Sequence, residues 1–84
     1  MNYTLFILRG AQKELSTLPP DIYPRVKQAI FALSMNPRPT RCRKLTGRNG
    51  WRIKVGNYRV IYEFDDKKKS VLILHIGHRR DVYR

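Results

Sequence analysis

The stretch from Trp51 to Phe64, WRIKVGNYRVIYEF, alternates apolar and polar residues on both sides of Gly56-Asn57. Strict alternation is the period of a strand with one buried face. Gly followed by Asn between two such runs predicts a two-residue hairpin turn, with positive φ at its first central position. That turn sets the register: Val55 faces Tyr58, Lys54 faces Arg59, Ile53 faces Val60 and Arg52 faces Ile61. Trp51, Ile53, Val55, Tyr58, Val60, Tyr62 and Phe64 then share an apolar face, while Arg52, Lys54, Arg59, Ile61 and Glu63 occupy the other. Like charges set directly opposite one another weaken a sheet by roughly 0.2–1 kcal/mol. Lys54 against Arg59 therefore reads as a place held for an anion; the alternative is that both long side chains extend into water.

The rest of the composition points the same way. Eighteen Lys and Arg stand against six Asp and Glu, for a net charge of +12 on 84 residues. Self-repulsion at that density is relieved by a polyanion: nucleic acid, an anionic membrane surface or an acidic protein. The excess is uneven, with five basic and two acidic residues in 1–40 but thirteen and four in 41–84, so the second half is expected to carry the binding face. The longest apolar run, around VLIL, is too short to span a bilayer. No signal-like segment opens the chain, and a single cysteine, Cys42, makes neither a disulfide nor a zinc cluster within the chain. A cytoplasmic location is the expectation.

Before the hairpin, YTLFIL (Tyr3 to Leu8) has strand composition and ends at Arg9-Gly10. Ala11, Leu15 and Leu18 mark one face of a short helix that Pro19-Pro20 stops. Ile22, Val26, Ala29, Ile30 and Leu33 mark a second helix, with Pro24 tolerable only in its first turn and Asn36-Pro37-Arg38-Pro39 ending it. CRKL is a short strand candidate. After the DDKKK turn, Val71 to Ile76 is apolar on both faces, as a central strand is. The expected fold class is α+β: two N-terminal helices packed on one face of a four- to five-stranded, mainly antiparallel sheet, in one domain covering 1–84.

The tail IGHRRDVYR gathers His78, Arg79, Arg80, Tyr83 and Arg84 after that central strand. If the antiparallel neighbour of the strand is the one bearing Arg59, the cluster lies near the basic face of the hairpin. Guanidinium groups bind phosphate and a ring stacks on an unpaired base, the combination used for single-stranded RNA. The alternative is that Arg80 pairs with Asp81 at the surface and Tyr83 caps the core.

The order of a strand, two helices and a sheet, with LTG, WRIKV, GNYRVIY and IGHRRDVY as they stand here, resembles the RelE/ParE superfamily of bacterial and archaeal toxins over nearly the whole chain. The resemblance, closest to the RelE branch, implies a toxin of a toxin–antitoxin system that cuts mRNA in the ribosomal A site and so inhibits translation. By motif it assigns catalysis to Lys54, Arg59, Arg79 and Tyr83. Around them Arg52, Lys44, His78, Arg80 and Arg84 are the expected RNA contacts. Arg52 stands where the best-studied RelE proteins carry lysine, and the segment between Arg79 and Tyr83 is shorter than theirs. The ParE branch shares the scaffold but inhibits DNA gyrase by protein contact, and a homologue that only binds its antitoxin is a third reading.

The chemistry implied is attack of an RNA 2′-hydroxyl on the adjacent phosphate, leaving a cyclic phosphate and a free 5′-hydroxyl. No cofactor or metal is expected: grouped carboxylates mark hard-cation nucleases, and only Asp65-Asp66 are adjacent, in a lysine-flanked turn. Cations would stabilise the phosphorane charge. A guanidinium is a poor proton shuttle, whereas a lysine among cations is driven toward its neutral form, so Lys54 is the preferred base. Tyr83 would orient or stack the nucleotide, and Arg79 or His78 would protonate the leaving oxygen. The implied partners are a cognate antitoxin, with an acidic or amphipathic wrapping segment, and mRNA on the ribosome, with no membrane.

Overall fold

The computed structural model describes residues 2–47 and 49–78. The described elements are β1 (Thr4–Ile7), α1 (Arg9–Ser16), α2 (Tyr23–Leu33), β2 (Arg43–Lys44), β3 (Trp51–Val55), β4 (Tyr58–Asp65) and β5 (Ser70–His78). The helices appear where the periodicity places them, with shifted ends. α1 stops at Ser16 rather than reaching Leu18: the hydroxyls of Ser16 and Thr17 donate to the carbonyls of Lys13 and Glu14 at 2.8 and 3.0 Å and satisfy the last turn. Pro24 lies in the first turn of α2, where a missing N–H costs nothing.

The five strands form one sheet in the order β1-β5-β4-β3-β2. The helices carry the chain from one edge of the sheet to the other, and β2 to β5 return as an antiparallel meander that ends beside β1. β1 pairs with β5 in parallel, Thr4 opposite Ser70 through Ile7 opposite Ile73, so the sheet is mixed. The hairpin register agrees with the sequence reading, from Val55 opposite Tyr58 to Trp51 opposite Tyr62. Gly56 has φ +61°, and Asn57 has no positive φ, which is the turn a right-twisted hairpin prefers when glycine stands first.

One apolar cluster lies between the helices and the sheet. Ala11, Val26, Ile30 and Leu33 from the helices meet Ile53, Val60, Tyr62, Val71, Ile73 and Ile76, all of them 5% exposed or less. Tyr62 is fully buried and its hydroxyl donates to Pro37 O at 2.7 Å, tying the proline-rich connection to the middle of the sheet. Burial pushes the Tyr62 phenol well above the ordinary tyrosine range.

The edge of β5 is completed by a helix. β1 ends opposite Ile73, so the following residues of β5 have no strand on that side. Glu14 Oε1 on α1 accepts the Ile76 N–H at 2.9 Å, and Leu8 N–H donates to Ile73 O at 3.0 Å. A bulge accompanies this exchange of neighbours: Ile61 lies opposite His75 but Tyr62 opposite Ile73, leaving Leu74 as the extra residue.

Candidate functional site

Two rows of side chains run across the face of the sheet turned away from the helices. Lys54, Arg59 and Gly77 form one row over β3, β4 and β5. Arg43, Arg52, Ile61 and His75 form the next, over β2 to β5. Lys54 and Arg59 are direct cross-strand partners. Their position next to the closing pair of a two-residue hairpin makes theirs the closer, non-hydrogen-bonded kind of pair, with Cα atoms about 4.5 Å apart. Gly77 adds no side chain on the other flank of Arg59.

The charge on this face is all of one sign among the described residues of its two rows. Among the described residues the ion pairs are Arg38 with Asp66 and the close approach of His75 to Glu14; none joins Arg52, Lys54 or Arg59 to a carboxylate. Arg59 is half-buried, its Nη1 reaches only Tyr58 O at 3.4 Å, and its Nε is buried without a partner. A buried donor left unpaired costs about 1–3 kcal/mol, more when the group is charged. Ile61 beside it is only 1% exposed, an apolar floor that weakens screening of the neighbouring cations.

The other predicted contacts divide. Arg52 stands in the row next to Lys54 and Arg59, as expected. Lys44 does not share their face: it pairs with Trp51, and its ammonium sits 5.4 Å from the Trp51 ring centroid on the helix side of the sheet. Arg43 instead stands on that face, opposite Arg52. The Leu45–Gly50 connection has no two-residue turn, so nothing local in the sequence sets the parity of β2. His78 likewise turns to the helix side, opposite Tyr58, with the two rings edge to face at 5.5 Å. The bulge at Leu74 instead brings His75 to the face of Arg59, with Nδ1 3.7 Å from Glu14. Arg79, Arg80, Tyr83 and Arg84 lie outside the described residues. Among the described residues no three His, Cys, Asp or Glu side chains gather to hold a metal ion, and no helix is long and apolar enough to cross a membrane.

Known proteins share both the fold and the sequence. The ParE toxin family of type II toxin–antitoxin systems matches residues 5–83. Toxin RelG of Mycobacterium tuberculosis is 37% identical, with 100% of this chain and 99% of RelG covered. The RelE–RelB complex from the archaeon Pyrococcus horikoshii OT3 superposes with a TM-score of 0.83 at 31% identity, covering 98% of this chain and 100% of that one. The isolated RelE toxin of E. coli gives 0.78 at 28% identity, over 96% and 90%. The family match and the shared fold define a toxin of the type II toxin–antitoxin class. The chain belongs to the ParE toxin family, within the RelE/ParE superfamily.

Proposed function

We propose that this toxin is an mRNA endoribonuclease of the RelE kind, acting on message in the ribosomal A site without a metal and restrained by a cognate antitoxin. The observation that carries the reading is Arg59: a half-buried guanidinium with an unpartnered Nε, facing Lys54 across the hairpin and joined to no described carboxylate. That arrangement is destabilising without an anion and complementary to a phosphate that gains charge.

In the proposed reaction Lys54 takes the proton of the 2′-hydroxyl, the 2′-oxygen bonds to phosphorus and the P–O5′ bond breaks. The leaving oxygen is protonated to a 5′-hydroxyl, and a 2′,3′-cyclic phosphate remains. Arg52 and Arg59 stabilise the phosphorane oxygens, a contribution worth about 10²–10³ in rate per donor in comparable sites. Arg79 and Tyr83, immediately after β5, complete the set, Tyr83 by stacking on the base and Arg79 by phosphate contact. With His78 turned toward Tyr58, the proton for the leaving oxygen falls to the residues after β5. The RelE–RelB complex of the archaeal relative supports an antitoxin as partner.

The family match to ParE toxins favours a second reading, inhibition of DNA gyrase by protein contact. One pair of assays separates the two. The purified chain is added to a translation reaction with a defined mRNA and new 5′ ends are mapped, and gyrase supercoiling is followed in parallel. Codon-linked cuts that vanish in Arg59→Ala and Lys54→Ala establish the nuclease; inhibited supercoiling with intact message establishes the gyrase inhibitor.

A further inference from the structure

β4 runs on past the start of β3. β3 begins at Trp51, opposite Tyr62, so Phe64 has no β3 residue across from it. Gly50 has φ +123°, a conformation that side chains disfavour, and its carbonyl accepts the Leu45 N–H at 3.0 Å as the chain turns off the sheet. Val55 and Tyr58 close the two-residue hairpin and bond to one another. By alternation Phe64 then directs its N–H and C=O into the place that β3 leaves, and no backbone hydrogen bond among the described residues engages them. A hollow of about 270 Å³ opens at this corner, where both faces of the sheet come together. From the helix side it receives the rings of Trp51 and Phe64, 5.6 Å apart, and the Lys44 ammonium, 5.4 Å from the Trp51 ring centroid. From the face of Arg52 and Arg59 it receives Glu63. Among the described residues Glu63 makes no ion pair and no side-chain hydrogen bond. Asp65, the next carboxylate on that face, already accepts the N–H groups of Lys67 and Lys68.

We infer that this hollow holds a guanine base of the RNA strand bound on the basic face, and that Glu63 is the residue that selects it. The inference rests on the nuclease reading for its substrate, and adds to it a determinant of specificity. Glu63 lies four residues along β4 from Arg59, about 13 Å, within the span of a short single strand. A free carboxylate beside bound phosphates is repulsive unless it meets hydrogen-bond donors. Unpaired guanine presents two neighbouring donors, N1–H and the N2 amino group, which match the two oxygens of one carboxylate. Adenine, cytosine and uracil each set an acceptor beside the donor on the same edge, so one carboxylate oxygen meets a lone pair. The guanine O6 accepts the outward Phe64 N–H, and the purine stacks on Trp51. Stacking of a base on a ring outweighs an exposed cation–π contact. The base therefore takes the place of the Lys44 ammonium over Trp51 and frees it for the adjoining phosphate, which makes Lys44 an RNA contact from outside the catalytic face.

The test uses the full-length chain, ¹⁵N-labelled, and three probes: guanosine, inosine and adenosine 5′-monophosphates. Binding is followed by quenching of Trp51, the single tryptophan, and by the amide shifts of Gly50, Trp51 and Phe64. Guanosine monophosphate is expected to bind about tenfold or more tightly than adenosine monophosphate, with inosine monophosphate, which lacks the 2-amino group, in between. Glu63 is exposed, and Glu63→Gln is expected to erase the preference for guanosine while leaving adenosine binding within about twofold of the wild type. Equal affinity for guanosine and adenosine in the wild type, a guanosine preference that survives in Glu63→Gln, or guanosine shifts confined to Arg52 and Arg59 each overturns the proposal. Nucleotide binding is read without any cleavage. A chain that leaves message intact but keeps the guanosine preference loses the nuclease reading and keeps the base pocket; a chain that cuts message without that preference keeps the nuclease and loses the pocket.

Discussion

Glu14 Oε1 accepts the Ile76 N–H at 2.9 Å across 62 positions of sequence, closing with a side chain the part of the β5 edge that β1 leaves open. Hydrogen bonds to a charged partner contribute about 1.5–3 kcal/mol, less where solvent reaches them. Glu14→Ala is expected to lower stability by about 1–2 kcal/mol in urea unfolding followed by Trp51 fluorescence, and Glu14→Gln, which keeps an acceptor oxygen, to lose less than half of that. A change within about 0.5 kcal/mol for the alanine variant, the range of ordinary surface substitutions, refutes the role given to this carboxylate.

Arg59 illustrates a conflict between stability and the proposed activity. Replacing it with methionine removes the repulsion from Lys54 and the unpartnered Nε while filling similar space above Ile61. Arg59→Met is expected to be more stable than the wild type by about 0.5–1 kcal/mol and to cut mRNA at least about 100-fold more slowly. Loss of stability in this variant shows that the guanidinium is already satisfied in the free protein.

Tyr62 should reveal its burial in an alkaline titration. Its folded-state pKa is raised by burial, and a raised pKa adds stability that is present below the unfolded value and lost as pH rises through the folded one. Absorbance at high pH is expected to show a phenol that ionises only with unfolding, and Tyr62→Phe to abolish that late step. The same substitution strands Pro37 O and is expected to cost about 1 kcal/mol.

Asp66 is expected to contribute to the acid limb of stability. The Tyr3 hydroxyl donates to it at 2.5 Å, Arg38 Nη2 at 2.6 Å, and its pKa is lowered, chiefly by the Tyr3 bond and, more weakly, by the charges of Arg38 and Lys69. A lowered carboxylate pKa adds stability that is present above the unfolded value and disappears as pH falls through the folded value. Stability of the wild type is therefore expected to drop below the ordinary carboxylate range, and more shallowly in Asp66→Asn. Parallel acid limbs in the two proteins contradict this.

Gly56 combines φ +61° with a close neighbour, since a Cβ there lies 3.3 Å from Ile22 Cδ1. Left-handed backbone costs a residue with a side chain about 1–2 kcal/mol. Gly56→Ala is expected to destabilise by at least that much, and thermal unfolding that matches the wild type speaks against the turn geometry.

Much of the fold and half of the site could be read from local patterns. Alternation on both sides of Gly56-Asn57 places Lys54 opposite Arg59 and Arg52 beside them, because a two-residue turn transmits register without outside help. The helical stripes of Val26, Ile30 and Leu33 likewise carry their own period into the core. Where a long connection or a distant partner intervenes, the pattern stops being informative. Arg43 rather than Lys44 joins the basic face because β2 takes its parity from pairing with β3 across a loop that fixes no register. His75 rather than His78 reaches that face because the ladder slips by one residue at Leu74, beside the place where β5 exchanges the edge of β1 for the carboxylate of Glu14. Strand period is a property of neighbouring residues and is written in the chain; a bulge depends on which groups meet an unfinished sheet edge, and those groups come together only once the helices have crossed the sheet.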